Sequence, residues 1–387
     1  MTAVMDELDN RLVTELQGAL PVAARPFDAL AAQLGIGAEE MMARLRHLAA
    51  EGLIRRVGPV FDSRNLGYVS TLVAARIPAD RLAEAAECVN RLEGVTHNYE
   101  RRPSTLRHTL FEPEPQSRRQ GRPEHGRGAT GSGRPERVEG RHAYNLWFTL
   151  TAPSAEALEA ALESVRRRMA PAEFHSLPAE AVYKIGVHFD LTGGRQASAS
   201  LPSQGGRPPP KAAPGPARPR PLTEKQKGLV RLLQGGLPLE REPFAEAAAQ
   251  LGWPVERIVE QIRSWLASGI IRRFGAVVEH RSLGFRANGM AVFRAAAARA
   301  DEIGRSLAAE PAVSHCYRRP ALPDFPYNLY AMVHGRSEEE VRDIVRRMAE
   351  AAGAAEYEVL FSVTEFKKSP PTYFAAEGGP GEAADAD

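Results

Sequence analysis

Residues 52–68 read GLIRRVGPVFDSRNLGY, and residues 269–285 read GIIRRFGAVVEHRSLGF, the same pattern 217 positions later. Outward from there, LPVAARPFDALAAQLGI (20–36) is matched by LPLEREPFAEAAAQLGW (237–253) at the same offset. HNYERR from His97 is matched by HCYRRP from His315 at an offset of 218, and YNLWFTL from Tyr144 by YNLYAMV from Tyr327 at 183. The chain is one unit written twice. The offset falls by 35 between those last two motifs, so copy one carries an insertion in the loop that joins them.

Each unit reads as two small domains. In copy one, Leu8, Leu12, Val13 and Leu16, then Met41, Met42, Leu45 and Leu48, recur at helical spacing. They predict helices over 6–17, 27–34 and 38–50, the last two closed by Gly35 and Gly52. Leu53-Ile54-Arg55-Arg56 then starts a β-wing, which completes a winged helix-turn-helix. A strand over 69–77, a helix over 79–91, strands over 94–101 and 144–150, a helix over 154–169 and a strand over 181–189 follow. That order is βαββαβ, a ferredoxin-like unit, and copy two repeats it from 289 to 366.

The expected fold class is α+β, a tandem duplication of helix-turn-helix plus ferredoxin-like domain whose halves pair as an intramolecular pseudo-dimer. Domain boundaries fall at 5–57 and 58–191 in copy one and at 222–274 and 275–374 in copy two. The 30 Pro and 33 Gly exceed an average share, and the excess gathers in two stretches without apolar periodicity. These are the insertion (103–141) and a linker (192–221), expected to be disordered, as is the tail at 375–387.

Composition excludes several functions. Lys+Arg 50 against Asp+Glu 48 leaves +2, no strong field for nucleic acid or membrane. Two cysteines, Cys88 and Cys316, cannot build a disulfide framework or a cysteine zinc site. No apolar run approaches the ~18 residues of a membrane span. The start MTAVMDELDNRLV lacks the basic and apolar regions of an export signal, so a cytoplasmic location is expected.

Alternate residues of a strand share a face, which puts His97, Tyr99 and Arg101 in one row and His315, Tyr317 and Arg319 in another. An imidazole, a phenol and a guanidinium side by side form a proton source next to a carboxylate clamp. Arg102 and Arg318 adjoin the rows, while Cys316 alternates to the far face. Further carboxylate-binding candidates are Tyr144, Asn145, Tyr327 and Asn328 on the next strand and Arg55, Arg56, Arg272 and Arg273 in the wings. Lys184 and Lys367 in the last strands complete the set, with His175 nearby. Trp147, Trp253 and Trp265 read as core.

This domain order resembles the Lrp/AsnC regulators. HNYER with YNLWFT, and HCYRR with FPYNLY and a Met-x-His-Gly at 332–335, resemble the two subunit types of the siroheme decarboxylases, fused as in the heme d1 pathway. The resemblance implies removal of CO2 from the C12 and C18 acetates of siroheme to give 12,18-didecarboxysiroheme, with no added cofactor. It implies as partners siroheme and other enzymes of that pathway. His142 fits the family pattern HNYER-x-His-x-YNL, and His97 or His315 becomes a candidate ligand of the substrate iron.

Two other readings compete, a DNA-binding regulator and a heme-binding sensor without turnover. A DNA reader needs donors at the start of its third helix. Here that position reads Gly37-Ala38-Glu39-Glu40 and Trp253-Pro254-Val255-Glu256, which counts against DNA.

Overall fold

The structure, a computed structural model, describes residues 5–104, 108–109, 144–169, 173–186, 221–279 and 286–375. In copy one Asp6 closes a capping box on α1 (Glu7–Gly18), α2 (Pro26–Leu34) ends at Gly35, and α3 (Ala38–Ala50) buries the expected Met and Leu stripe. The wing strand β1 (Ile54–Phe61) leads into β2 (Val69–Arg76), α4 (Leu82–Asn90), β3 (Val95–Pro103), β4 (His108–Thr109) and β5 (Leu146–Ala152). Then come α5 (Ala155–Arg168), β6 (Glu173–Pro178) and β7 (Ala181–Ile185). Copy two repeats the plan with α6 (Glu224–Leu233), α7 (Ala245–Leu251), α8 (Val255–Ser268) and β8 (Ile271–Val278). Its sheet domain comprises β9 (Ala287–Arg294), α9 (Ala300–Ala309), β10 (Val313–Arg318), β11 (Leu329–Gly335), α10 (Glu338–Ala352) and β12 (Glu356–Lys368).

The repeated IRRxG motif is where the halves join. β1 and β8 pair antiparallel with Gly58 opposite Gly275, and the two helix-turn-helix domains share one apolar core. A Cβ on Gly275 would stand 2.3 Å from the Leu16 carbonyl oxygen of copy one, so only glycine admits this approach. The second arginine of each wing ties the same seam. Arg56 donates to the carbonyls of Pro59 and Gln234, and Arg273 to those of Gln17 and Ala276. Both therefore serve as struts between the copies, each setting its Nη1 on two carbonyls at the seam.

The ferredoxin-like domains interlock through their last strands. The sheet order is β6-β2-β5-β3-β12-β9-β11-β10-β7, with β4 beside β12. β12 pairs over Glu356–Phe361 with β9 of its own copy and over Leu360–Lys368 with β3 of the other. Copy one mirrors this with β6 on its own β2 and β7 on β10 of copy two. β6 and β7 are joined by Ala179 and Glu180, so the sheet returns on itself. Helices cover the two outer faces, and the inner space between the halves is packed by Trp147, Leu177, Met290, Tyr330, Leu360 and their neighbours. The α+β pseudo-dimer stands as expected.

Two local expectations need correction. The last strand of copy one, β7, begins at Ala181 as expected, but a further strand, β6, precedes it over Glu173–Pro178, because EFHSLP gains its order from pairing with β2 and not from apolar alternation. The stretch 103–141 is not wholly without structure, since Pro103 ends β3 and β4 extends the ladder along β12. The rest of that stretch, the linker from 192 to 220 and the tail from 376 lie outside the described residues. Among the described residues no helix is long and apolar enough to cross a membrane.

Candidate active site

Buried Asn98 turns toward α4, where its amide donates to Ala86 O and Asn90 Oδ1. Alternation therefore sends His97, Tyr99 and Arg101 to the inner face of the sheet. The rings of His97 and Tyr99 stack at 6.2 Å, and the Arg101 guanidinium sits 5.1 Å from the Tyr99 ring centre. Copy two repeats the row, with Cys316 buried against Gly304 O on the helix side. His315 and Tyr317 stack at 6.2 Å, and Arg319 lies 4.8 Å from the Tyr317 ring centre. Each arginine reaches across the seam, Arg101 to Leu360 O at 3.3 Å and Arg319 to Leu177 O. Both imidazoles lie on the inner face of the sheet, and a positive charge on His97 would lower the basicity of His315.

Burial and surrounding cations decide the protonation states. Burial, then Lys368, Arg101 and Arg55, push His97 down to about 4. Burial, then Arg272, His97 and Lys184, push His315 down to about 3. Both imidazoles are neutral at pH 7. Burial raises the Tyr317 phenol despite Arg319 and Arg272, so it keeps its proton. Burial lowers Arg101 to about 10, which still leaves it cationic at neutral pH. The interior is thus poorly solvated and positively charged, a setting that favours an incoming polyanion.

The first arginine of each wing lies near its row, Arg55 beside His97 and Arg272 beside His315 and Tyr317. Arg55 pairs with Glu279 at 2.7 Å, and Glu279 also meets Lys368 at 3.5 Å. Lys368 stands opposite His97 in the β3–β12 register, so copy two supplies a cation to the copy-one row. Ile185 holds the matching place opposite His315. Lys368 and Glu279 were not legible in the sequence. The Lys367-Lys368 pair was the available signal, but only the register tells which lysine faces the row.

Other candidates are engaged elsewhere. Arg102 is exposed and alternates away from Arg101. Arg318 pairs with Asp301 at 2.8 Å and Glu180 at 3.3 Å. The Asn145 amide accepts from Ile77 N and donates to Ile77 O, and Asn328 does the same with Ala295. Their amides fasten strand ends, not substrate. Tyr144 donates toward Glu173 and Asp324 beside Arg76, and Tyr327 packs on Phe325 at 4.9 Å. Lys184 and Lys367 donate to Glu310 O and Asn90 O at helix ends, each at 2.8 Å. His175 bonds Glu173, and His142 lies outside the described residues. A surface concavity along α10 carries Glu310, Glu339, Glu340 and Asp343 against Arg347, the wrong sign for an anion. Among the described residues no three His, Cys, Asp or Glu side chains gather as a metal site.

Comparison with known proteins agrees with this geometry. The sequence model of the AsnC-like ligand binding domain matches residues 65–112, 133–184 and 282–367. That of the siroheme decarboxylase NirDL-like HTH domain matches 9–55 and 226–272. The chain is 32% identical over 372 residues to a siroheme decarboxylase of Hydrogenobacter thermophilus, covering 95% of each. It is 45% identical over 143 residues to the siroheme decarboxylase NirL subunit of Stutzerimonas stutzeri, covering 36% of this chain and 84% of that one. The crystal structure of the siroheme decarboxylase NirDL in complex with an iron-uroporphyrin III analogue aligns with a TM-score of 0.63 at 28% identity. That alignment covers 96% of this chain and 95% of the other.

Proposed function

The chain belongs to the siroheme decarboxylase family, and from that premise we propose that it removes CO2 from the C12 and C18 acetates of siroheme between its two His-x-Tyr-x-Arg rows. The product is 12,18-didecarboxysiroheme, and the enzyme is a carboxy-lyase of heme d1 biosynthesis. Other enzymes of that pathway, which supply siroheme and take the product, are the partners this reading calls for. The observation that supports it is that both rows lie on the inner face of the sheet, with Arg101 buried and Arg319 half-buried there.

The substrate brings its own iron, and a neutral imidazole has the lone pair to bind it. Both histidines turn Nδ1 to a hydroxyl and leave Nε2 for the interior; we assign the iron to His97, whose row has the cation Lys368 across the ladder for the anionic substrate. Arg101 and Arg319, with Arg55, Arg272 and Lys368 at the margin, hold the peripheral carboxylates. Enclosure withholds water from the reacting carboxylate, which favours its loss as neutral CO2. The bond between methylene carbon and carboxylate breaks, and its electron pair stays on the methylene carbon beside the pyrrole. A proton from the His315–Tyr317 pair completes a methyl group, and Arg319 stabilises the phenolate if Tyr317 is the donor.

Incubating the protein with reduced siroheme under anaerobic conditions tests this. Mass spectrometry should show loss of two CO2 from the tetrapyrrole. Binding with an absorption shift and no mass loss would make the protein a carrier or sensor and overturn the reading. So would unchanged siroheme together with a salt-sensitive shift of promoter DNA.

A further inference from the structure

The Met-x-His-Gly motif has no part in the reaction so far. His334 lies near the end of β11 with its side chain buried, and its amide donates to Ala312 O at 3.1 Å. Its Nε2 lies 2.8 Å from the hydroxyl of buried Ser314, and that hydroxyl lies 3.0 Å from Nδ1 of His315. A serine hydroxyl has one proton, and Met332 O at 3.4 Å is a more distant acceptor for it than either ring nitrogen; directed at one imidazole, the hydroxyl accepts from the other. The tautomers of His315 and His334 are therefore tied together.

Copy one has the first link and not the second. Thr96 Oγ1 meets His97 Nδ1 at 3.0 Å, as Ser314 meets His315. Val95 pairs with Leu150 as Val313 pairs with Val333, which makes Thr151 the counterpart of His334. The backbone agrees, since Thr151 N donates to Gly94 O as His334 N donates to Ala312 O. A threonine at this position has no ring nitrogen with which to fix a neighbour's tautomer.

We propose that His334 is a positioning residue which, through Ser314, holds the His315 imidazole with its Nε2–H toward the interior, a support the His97 row lacks. In this arrangement His334 Nε2–H donates to Ser314 Oγ, and Ser314 Oγ–H donates to His315 Nδ1. The proton left on His315 Nε2 is then the one presented to substrate. The inference rests on the decarboxylase reading and adds to it a reason why the two histidines differ.

The test combines nitrogen NMR of the full chain with three variants. In the wild type without substrate, the imidazole spectrum should show His315 with a bare Nδ1 and a protonated Nε2. Turnover of siroheme should fall about tenfold in kcat, with KM unchanged, in both His334→Thr and Ser314→Ala, and no further in the double variant. His334→Gln, whose amide N–H can still donate to Ser314, should stay within about threefold of wild type. A protonated Nδ1 on His315, wild-type kcat in Ser314→Ala, or single losses that multiply in the double variant would overturn the proposal. If His334→Thr does not fold, Ser314→Ala and the spectrum decide alone. If the wild type releases no CO2, the decarboxylase reading fails, and the spectrum still reports on the His334–Ser314–His315 chain.

Discussion

The β3 hairpin of copy one and the β10 hairpin of copy two present the same imidazole, phenol and guanidinium at the same spacing, with rings stacked at 6.2 Å in both. Behind those rows they differ. His97 has Lys368 across the ladder and Arg55 with Glu279 nearby, and its Nδ1 is backed by Thr96. His315 has Ile185 across the ladder and is backed by Ser314 and His334. Both rows have cations nearby, but one has a lysine directly across the ladder and the other a hydrogen-bonded chain behind its histidine. Duplication kept the His-x-Tyr-x-Arg face, while the residues behind it diverged; under the proposed function the first set suits the holding of an anion and its iron, the second the delivery of a proton.

The sharpest way to break this contrast is to remove each imidazole separately. His315→Asn should cost roughly 10²–10⁴ in kcat while bound iron-uroporphyrin III keeps its wild-type absorption spectrum. His97→Asn should change that spectrum, and equal effects at both positions would erase the division of labour. A second comparison concerns what the copies share. Asn328→Ala and Asn145→Ala each remove a paired amide that fastens a strand end, so each should lower unfolding stability by about 1–3 kcal/mol in denaturant titration. Neither should change KM, because neither amide faces the interior.

Smaller effects sharpen the electrostatic difference. Lys368→Ile gives copy one the residue that copy two carries opposite its histidine. It should weaken iron-uroporphyrin III binding by roughly fivefold, about 1 kcal/mol, with the loss shrinking at high salt. The same burial sets the acid stability. Both histidines are held below their ordinary value of 6.5, so the folded state resists protons that the unfolded chain accepts. Stability should be full above pH 6.5 and decline as pH falls toward about 4 and 3, the folded-state values. Melting curves between pH 7 and 5 should show a drop that the His97→Asn, His315→Asn double variant lacks.

Much of this was legible in the sequence, and the limits have physical causes. The duplication, the βαββαβ order and the shared face of each row follow from local periodicity. Asn145 and Asn328 looked like substrate contacts because nothing in Tyr-Asn-Leu reveals that a neighbouring strand ends beside the amide. Arg56 and Arg273 cannot be told from Arg55 and Arg272 in the sequence, and only the β1–β8 seam shows which arginine of each pair sets its Nη1 on two carbonyls. Lys367 and Lys368 cannot be told apart in the sequence, since register across copies is a long-range property. The chain from His334 to His315 was hidden for the same reason, as its members are 20 and 19 residues apart and meet only when β10 and β11 pair.

The exchange of last strands has an evolutionary corollary. Lys368 of copy two walls the row of copy one, and β7 of copy one edges the row of copy two, so neither half owns a complete set of neighbours. Two free, identical subunits meeting at random would have to remain compatible with their own kind. Halves tethered on one polypeptide always meet their opposite number, in fixed one-to-one proportion. Each is then free to accumulate changes that would be harmful in a symmetric pair, and inheritance as a single gene keeps the mismatched set together.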